Sequence, residues 1–235
     1  MSAFIAQQSD SLAYDAVLIG AGGLGSATAQ ALQRMAVDAR VLIVDDDDIE
    51  RSNLPRQTAY RSGDVGAGKA ETLAQRVSGG TLRAQAARIR LSDVEQIRQW
   101  ARGARLLIDG SDNFTTRFAA NDAAVALGIP LVHGAVVGWM GQVMRITPGR
   151  SACLRCLFGG PPSDEGPTCA GAGVMGPAVA EIGWLMAIEA YKALSGQGQA
   201  VENGLLTINM LSGKRRIAPA PRRGDCPGCG VSGTI

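Results

Sequence analysis

Val17-Leu18-Ile19-Gly20-Ala21-Gly22-Gly23-Leu24-Gly25-Ser26 decides the fold of this chain. Three apolar residues run into Gly20, Gly22 and Gly25 at GxGxxG spacing, and a helix-compatible run continues to Met35. A buried strand that turns abruptly into a helix leaves the helix's first N–H groups facing outward, where they seat a phosphate. Alone the pattern is weak: nicotinamide, flavin and adenylate sites share it, and 31 glycines make a chance match easy. Two neighbours strengthen it. A strand-like run precedes the turn, and Val41–Val44 ends in Asp45, where an acidic residue reaches a ribose hydroxyl.

The chain has 235 residues, 46% of them hydrophobic, enough for one sizeable α/β body. A formal charge of +2, with both signs interspersed, gives no footprint for nucleic acid or an anionic membrane as partner. No apolar run approaches the roughly 20 residues that span a bilayer, and no signal-peptide pattern opens the chain. A cytoplasmic location is therefore expected.

Working outward, residues 1–13 show no periodicity and read as a flexible lead-in. A strand at Asp15–Ile19, a helix at Gly23–Met35 and a strand ending at Asp45 form one βαβ unit with a right-handed crossover. The polar stretch from Ile49 to Gln57, broken by Pro55, reads as a loop over the strand ends. A helix through Val77, a strand at Ala84–Leu91 and a helix at Asp93–Ala101 capped by Ser92 continue the alternation. Leu106–Asp109 is a short buried strand, Ser111–Asn113 offer caps for a helix over Thr115–Leu127, and Pro130–Val136 returns as a strand ended by a packed His133. Beyond Gly141 the pattern changes to a strand at Gln142–Thr147, an apolar helix at Val174–Leu194 and a hairpin of Leu205–Asn209 with Lys214–Ala218. The expected architecture is α/β: a Rossmann-like, mostly parallel sheet flanked by helices, with a C-terminal antiparallel portion and a zinc-tied tail.

Four of the five cysteines fall as Cys153-x-x-Cys156 and Cys226-x-x-Cys229. Two such knuckles place four thiolates tetrahedrally around Zn²⁺ and leave no open position, so the site is structural and bridges residues 153–229. Gly63–Ala70 approaches a P-loop, but Ala70 stands where the Mg²⁺-binding hydroxyl belongs and no strand precedes Gly63.

The glycine turn, Asp45, the Ser52–Gln57 loop, Lys69 and Asp112 all fall at strand C-termini or just beyond, where open α/β sheets bind ligands. With GAGGLGS, DDDDIERSNLPRQ, GKAET, DGSDNFTTR, CAGAGVMGP and CPGC in this order, the chain resembles the adenylating enzymes typified by ThiF and MoeB. The resemblance covers nearly the whole chain and implies one E1-like adenylation domain over residues 1–235. It implies ATP-dependent adenylation of the C-terminal glycine of a small ubiquitin-like sulfur carrier, ThiS-like or MoaD-like, with release of pyrophosphate. Nucleotide contacts are implied for Gly22, Gly23, Gly25, Asp45, Asp47, Ser52, Asn53, Arg56, Gln57, Lys69, Asp112 and Asn113, with Mg²⁺ on Asp112. Arg56, Lys69, Asp112 and Cys169 carry the implied chemistry, Cys169 as a nucleophile able to join the activated carrier. Asp46 and Asp48 read as surface charges.

A homodimer through the apolar Val174–Leu194 helix is expected, as is a sulfurtransferase or cysteine desulfurase as donor partner. Residues 1–33 hold no arginine, whereas the family begins with RYxRQ. Either another residue supplies that charge, or adenylation is slow, or the start is shortened. Two alternatives remain: a nicotinamide-dependent oxidoreductase on the same glycine turn, and a non-catalytic scaffold that binds a carrier.

Overall fold

Every residue of β1 (Ala16–Ile19) is buried, because helices cover both faces of the sheet it centres. The computed structural model describes residues 14–161, 173–200 and 202–230. Among them an eight-stranded sheet runs in the order β3-β2-β1-β4-β5-β6-β7-β8. β2 (Ala39–Val44), β3 (Leu82–Ala87), β4 (Leu106–Asp109) and β5 (Leu131–Val137) join β1 in parallel. β6 (Met140–Ile146), β7 (Gly204–Asn209) and β8 (Lys214–Pro219) add an antiparallel meander on the far side of β5.

Alternation along each strand feeds two cores. Leu18, Val41 and Ile43 pack beneath α1 (Gly23–Arg34), α2 (Lys69–Val77) and α6 (Gly176–Ser195). Val17, Ile19, Leu42 and Val44 face α3 (Val94–Trp100), α4 (Phe114–Leu127) and the cysteine knuckles, the first of which opens α5 (Leu154–Phe158). α6 crosses α1 closely: a side chain at Gly183 would strike Ala27 Cβ at 2.5 Å, and Thr28 Oγ1 donates to the Gly183 carbonyl at 3.1 Å.

Four expectations shift. The strand expected at Ala84–Leu91 is Leu82–Ala87: its pairing with β2 ends at Val44–Ala87, and Ile89–Leu91 turn off to line a cavity. Asp93 rather than Ser92 caps α3, its Oδ1 accepting from the Gln96 N–H at 2.9 Å. His133 sits inside β5, not at its end. The apolar helix starts at Gly176 rather than Val174, and its breadth of apolar surface is spent inside the chain. Ile182 and Met186 are fully buried between α1 and β5–β6, each worth roughly 1.5–3 kcal/mol. Trp184 and Ile188 stay exposed. No helix among the described residues is long and apolar enough to cross a membrane.

Candidate active site

The turn after β1 is set by backbone contact. Gly20 has φ +90°, and its position lies 3.0 Å from the Gly110 carbonyl as a side chain would meet it. A side chain at Gly25 would fall 1.8 Å from the Gly20 carbonyl oxygen, so Gly25 exists to bring α1 against β1. α1 therefore opens at the mouth of the turn, with Gly22 and Gly23 in the wall of a cavity of about 500 Å³.

The strand ends surround that cavity. Asp45, at the end of β2, accepts from the Ala21 N–H at 2.6 Å and from the Asp47 N–H at 2.9 Å. Burial raises its pKa, against the pull of those amides and of Lys69. Lys69, the first residue of α2, is buried and its ammonium meets Asp47 Oδ2 at 2.7 Å. No P-loop forms: Gly63 sits in the 3₁₀ turn Ser62–Asp64 and Gly68 caps α2.

The Glu50–Gln57 loop closes one side. Asn53 Oδ1 accepts from the Glu50 N–H at 3.3 Å, and the Asn53 carbonyl receives the N–H groups of Arg56 and Gln57. Tyr60 anchors the loop to the glycine turn through its hydroxyl, which donates to the Ala21 carbonyl at 2.6 Å. Desolvation pushes its phenol far above the usual range. Arg56 spends its Nη1 on the Ser52 carbonyl at 2.9 Å, and Gln57 Oε1 is buried without a partner among the described residues. On the opposite wall, Asp112 is exposed and makes no hydrogen bond or ion pair among the described residues, while Asn113 caps α4.

Thus Gly22, Gly23, Asp45, Asp47, Asn53, Arg56, Gln57, Lys69, Asp112 and Asn113 share one cavity. Gly25 and Ser52 do not line it: Gly25 packs helix on strand, and the Ser52 hydroxyl turns to Glu50 at 3.0 Å. Cys169 and the lead-in 1–13 lie outside the described residues. Asp46 and Asp48, expected as surface charges, also line the cavity, Asp48 paired with Arg88 at 2.8 Å.

The sequence reading missed a cluster behind Asp112. Asp109, fully buried at the end of β4, accepts from the Ser111 N–H and hydroxyl at 3.0 and 2.5 Å and faces His133 Nδ1 at 2.8 Å; Arg117 Nε is 3.9 Å away. Burial opposes ionisation, but His133, Arg117 and Ser111 outweigh it and hold the Asp109 pKa below the usual range. The available signal was its place: an acidic strand end, like Asp45.

The four knuckle sulfurs lie within 4.8 Å of one another, all buried, with Cys153–Cys226 at 3.6 Å and Cys156–Cys229 at 3.4 Å. A tetrahedral ion with Zn–S near 2.3 Å needs sulfurs about 3.8 Å apart, so the set fits zinc. The N–H groups of Arg223 and Gly228 donate to Cys156 and Cys226 Sγ at 3.4 Å, as suits thiolates. α4 holds the first knuckle in place, through Asn121 Oδ1 on the Leu154 N–H at 2.8 Å and Asp122 on Arg155 at 2.6 Å.

A glycine turn at a helix N-terminus, acidic strand ends and the basic side chains of Arg56, Lys69, Arg90 and Arg117 around one cavity define a nucleotide-binding α/β domain. The chain belongs to the ThiF family, which matches over residues 3–228. It is 40% identical over 222 residues to the sulfur carrier protein adenylyltransferase of Thermus thermophilus, spanning 91% of this chain and 81% of that protein. It is 38% identical over 222 residues to the SAMP-activating enzyme E1 of Haloferax volcanii, spanning 92% and 80%. The fold matches that of Escherichia coli MccB with ATP at a TM-score of 0.80 and 19% identity, over 92% of this chain and 67% of the other.

Proposed function

We propose that this chain adenylates the C-terminal carboxylate of a small ubiquitin-like sulfur-carrier protein, consuming ATP and releasing pyrophosphate. One observation carries the reading: Arg56, Lys69 and Asp112, far apart in sequence, line the same cavity as Asp45 and the first turn of α1. In the reaction a carboxylate oxygen bonds to the α-phosphorus, the bond from that phosphorus to the β-bridging oxygen breaks, and the electron pair leaves with pyrophosphate. The nucleophile is already ionised, so no general base is required. Alignment and neutralisation of charge make up the enzyme's share of the work.

The residues divide that task. Asp45 has lone pairs left after its two amide contacts and accepts a ribose hydroxyl. The N–H groups of Gly22 and Gly23 face the phosphates, Asn53 and Gln57 donate to them, and Lys69 and the free nitrogens of Arg56 neutralise charge. Asp112 would hold Mg²⁺, which when bound offsets phosphate charge; it lines the cavity and its carboxylate has no partner among the described residues. The four cysteines would hold a structural Zn²⁺, a setting that suits the reducing cytoplasm. A second copy of the chain would cover Trp184 and Ile188, and a sulfurtransferase or cysteine desulfurase would supply sulfur to the activated carrier.

Carrier-dependent exchange of labelled pyrophosphate into ATP tests this, run with ThiS-like and MoaD-like carriers. Lys69→Ala and Asp112→Ala are expected to slow exchange by on the order of 10²–10³. If no carrier supports exchange, or Asp112→Ala exchanges as fast as the unaltered chain, the reading fails.

A further inference from the structure

The adenylation chemistry above leaves His133, the chain's single histidine, without a task. Its ring is fully buried, with Nδ1 on Asp109, while its other nitrogen, Nε2, has no partner among the described residues. Arg117 Nε, 3.9 Å from Asp109 Oδ2, likewise has no hydrogen-bond partner among the described residues. Both residues line a second, mostly apolar cavity of about 480 Å³ between α4, β5 and β6. Its rim is exposed apolar surface: Phe114, Val137, Met140 and Phe158. Arg117, Ala135 and Val136 line this cavity and the nucleotide cavity alike, so the two meet at that wall.

The protonation state follows from the surroundings. Burial holds the imidazole below its usual pKa, overriding Asp109, and Arg117 pushes the same way. A neutral ring beside an ionised Asp109 keeps its proton on Nδ1, which leaves Nε2 a bare acceptor. The wall thus offers one buried acceptor, His133 Nε2, and one buried donor, Arg117 Nε. A peptide unit is the complement of that pair, with one N–H and one carbonyl.

We propose that His133 is a positioning residue for the carrier: its Nε2 accepts a backbone N–H of the extended C-terminal tail where the tail passes from the apolar cavity to the nucleotide, while Arg117 Nε donates to a tail carbonyl. The inference rests on the adenylation reading for its ligand.

A single histidine makes the test direct. The protein is labelled with ¹⁵N-histidine, held with a non-hydrolysable ATP analogue, and titrated with a short synthetic peptide ending in a free Gly-Gly carboxylate. Nδ1 is expected to report as protonated and Nε2 as unprotonated, and the Nε2 signal is expected to move in the hydrogen-bonded direction at saturation. A protonated Nε2 in the free protein, or an Nε2 signal that saturating peptide leaves unmoved, overturns the proposal. In parallel, His133→Asn keeps an amide N–H for Asp109 but places no acceptor where Nε2 stands. It is expected to raise KM for the carrier on the order of tenfold with KM for ATP unchanged, and His133→Gln to recover most of the loss. A His133→Asn variant that raises both KM values alike would mark a purely structural role. Absence of exchange with every carrier would sink the adenylation reading, while the histidine signal would still decide the role of His133.

Discussion

Replacing His133 by asparagine also tests how the fold carries its only imidazole, through stability instead of activity. In the folded chain the ring is fully buried and held neutral below its ordinary pKa, by burial first and Arg117 second, with Asp109 opposing. In the unfolded chain it titrates near 6.5. Between those two values the unfolded state binds a proton that the folded state refuses, so the stability it confers is fully present above about pH 6.5 and is lost as pH falls towards the folded value. One proton sets a limiting slope of about 1.4 kcal/mol per pH unit.

Two other carboxyls shift in opposite directions. Asp109 is depressed, so its contribution is present above the ordinary carboxylate range and lost only in stronger acid. Asp45 is raised, chiefly by burial, so its contribution is present in acid and lost as pH rises through its folded value. Subtracting the His133→Asn profile from that of the unaltered chain removes the Asp45 background, while Asp109, which faces His133, keeps an amide N–H donor in the variant. Asparagine fills less of the site and is expected to cost about 1–3 kcal/mol at every pH, which leaves the slope untouched. The assay is denaturant unfolding of zinc-loaded protein at steps between about pH 5.5 and 8, fitted with a common m value. The difference should grow with pH in the acid part of that window and level off above about pH 6.5. Parallel profiles would mean that the folded ring takes up its proton as freely as the unfolded one, and the buried neutral imidazole would be refuted.

Gly25→Ala sets a methyl group 1.8 Å from the Gly20 carbonyl oxygen, backbone that cannot swing aside, so a loss of about 3 kcal/mol or more and of ATP binding by calorimetry is expected. Gly63→Ala, with open space around it, serves as the control. Asp93→Ala removes the cap of α3 and is expected to cost about 1 kcal/mol in thermal unfolding with exchange unchanged, whereas Ser92→Ala should cost close to nothing. Mass spectrometry of the metal content should return one zinc per chain, and Cys229→Ser should release it and lower Tm; a metal-free protein with an unchanged Tm would contradict a structural knuckle.

How much of this is legible in the sequence depends on how local the determining contacts are. β1, β2 and β4 announce themselves because both faces are covered, which leaves runs of apolar residues that end in Gly20, Asp45 and Asp109. β3 is blurred because it lies at the sheet's edge, half exposed, so Leu82–Ala87 carries charge and amide side chains within the strand. The cap of α3 was misplaced by one residue, since Ser92 and Asp93 both suit a cap and only backbone direction chooses between them. α6 looks like an exposed apolar face because a helix wedged between α1 and β5–β6 needs apolar residues around most of its girth. The Asp109–His133 contact was invisible for another reason: the parallel register of β4 and β5 places these residues side by side, and no local pattern encodes that register.

β5 explains why nucleotide and tail can be handled by separate parts of one sheet. One edge of β5 pairs in parallel with β4, the other antiparallel with β6. The parallel half sends β1, β2 and β4 to a common end, where the loops build the nucleotide cavity. The antiparallel half returns at once along β6, and Val137, Met140 and Gln142 of this hairpin line the apolar cavity. The shared wall at Ala135 and Val136 belongs to β5 itself, so the strand that changes the sheet's direction also adjoins both cavities. Substitutions on the β5–β6 hairpin, Met140 above all, are therefore positioned to alter which tail is accepted while leaving the ATP contacts in place. Substitutions in the Glu50–Gln57 loop are positioned to do the reverse.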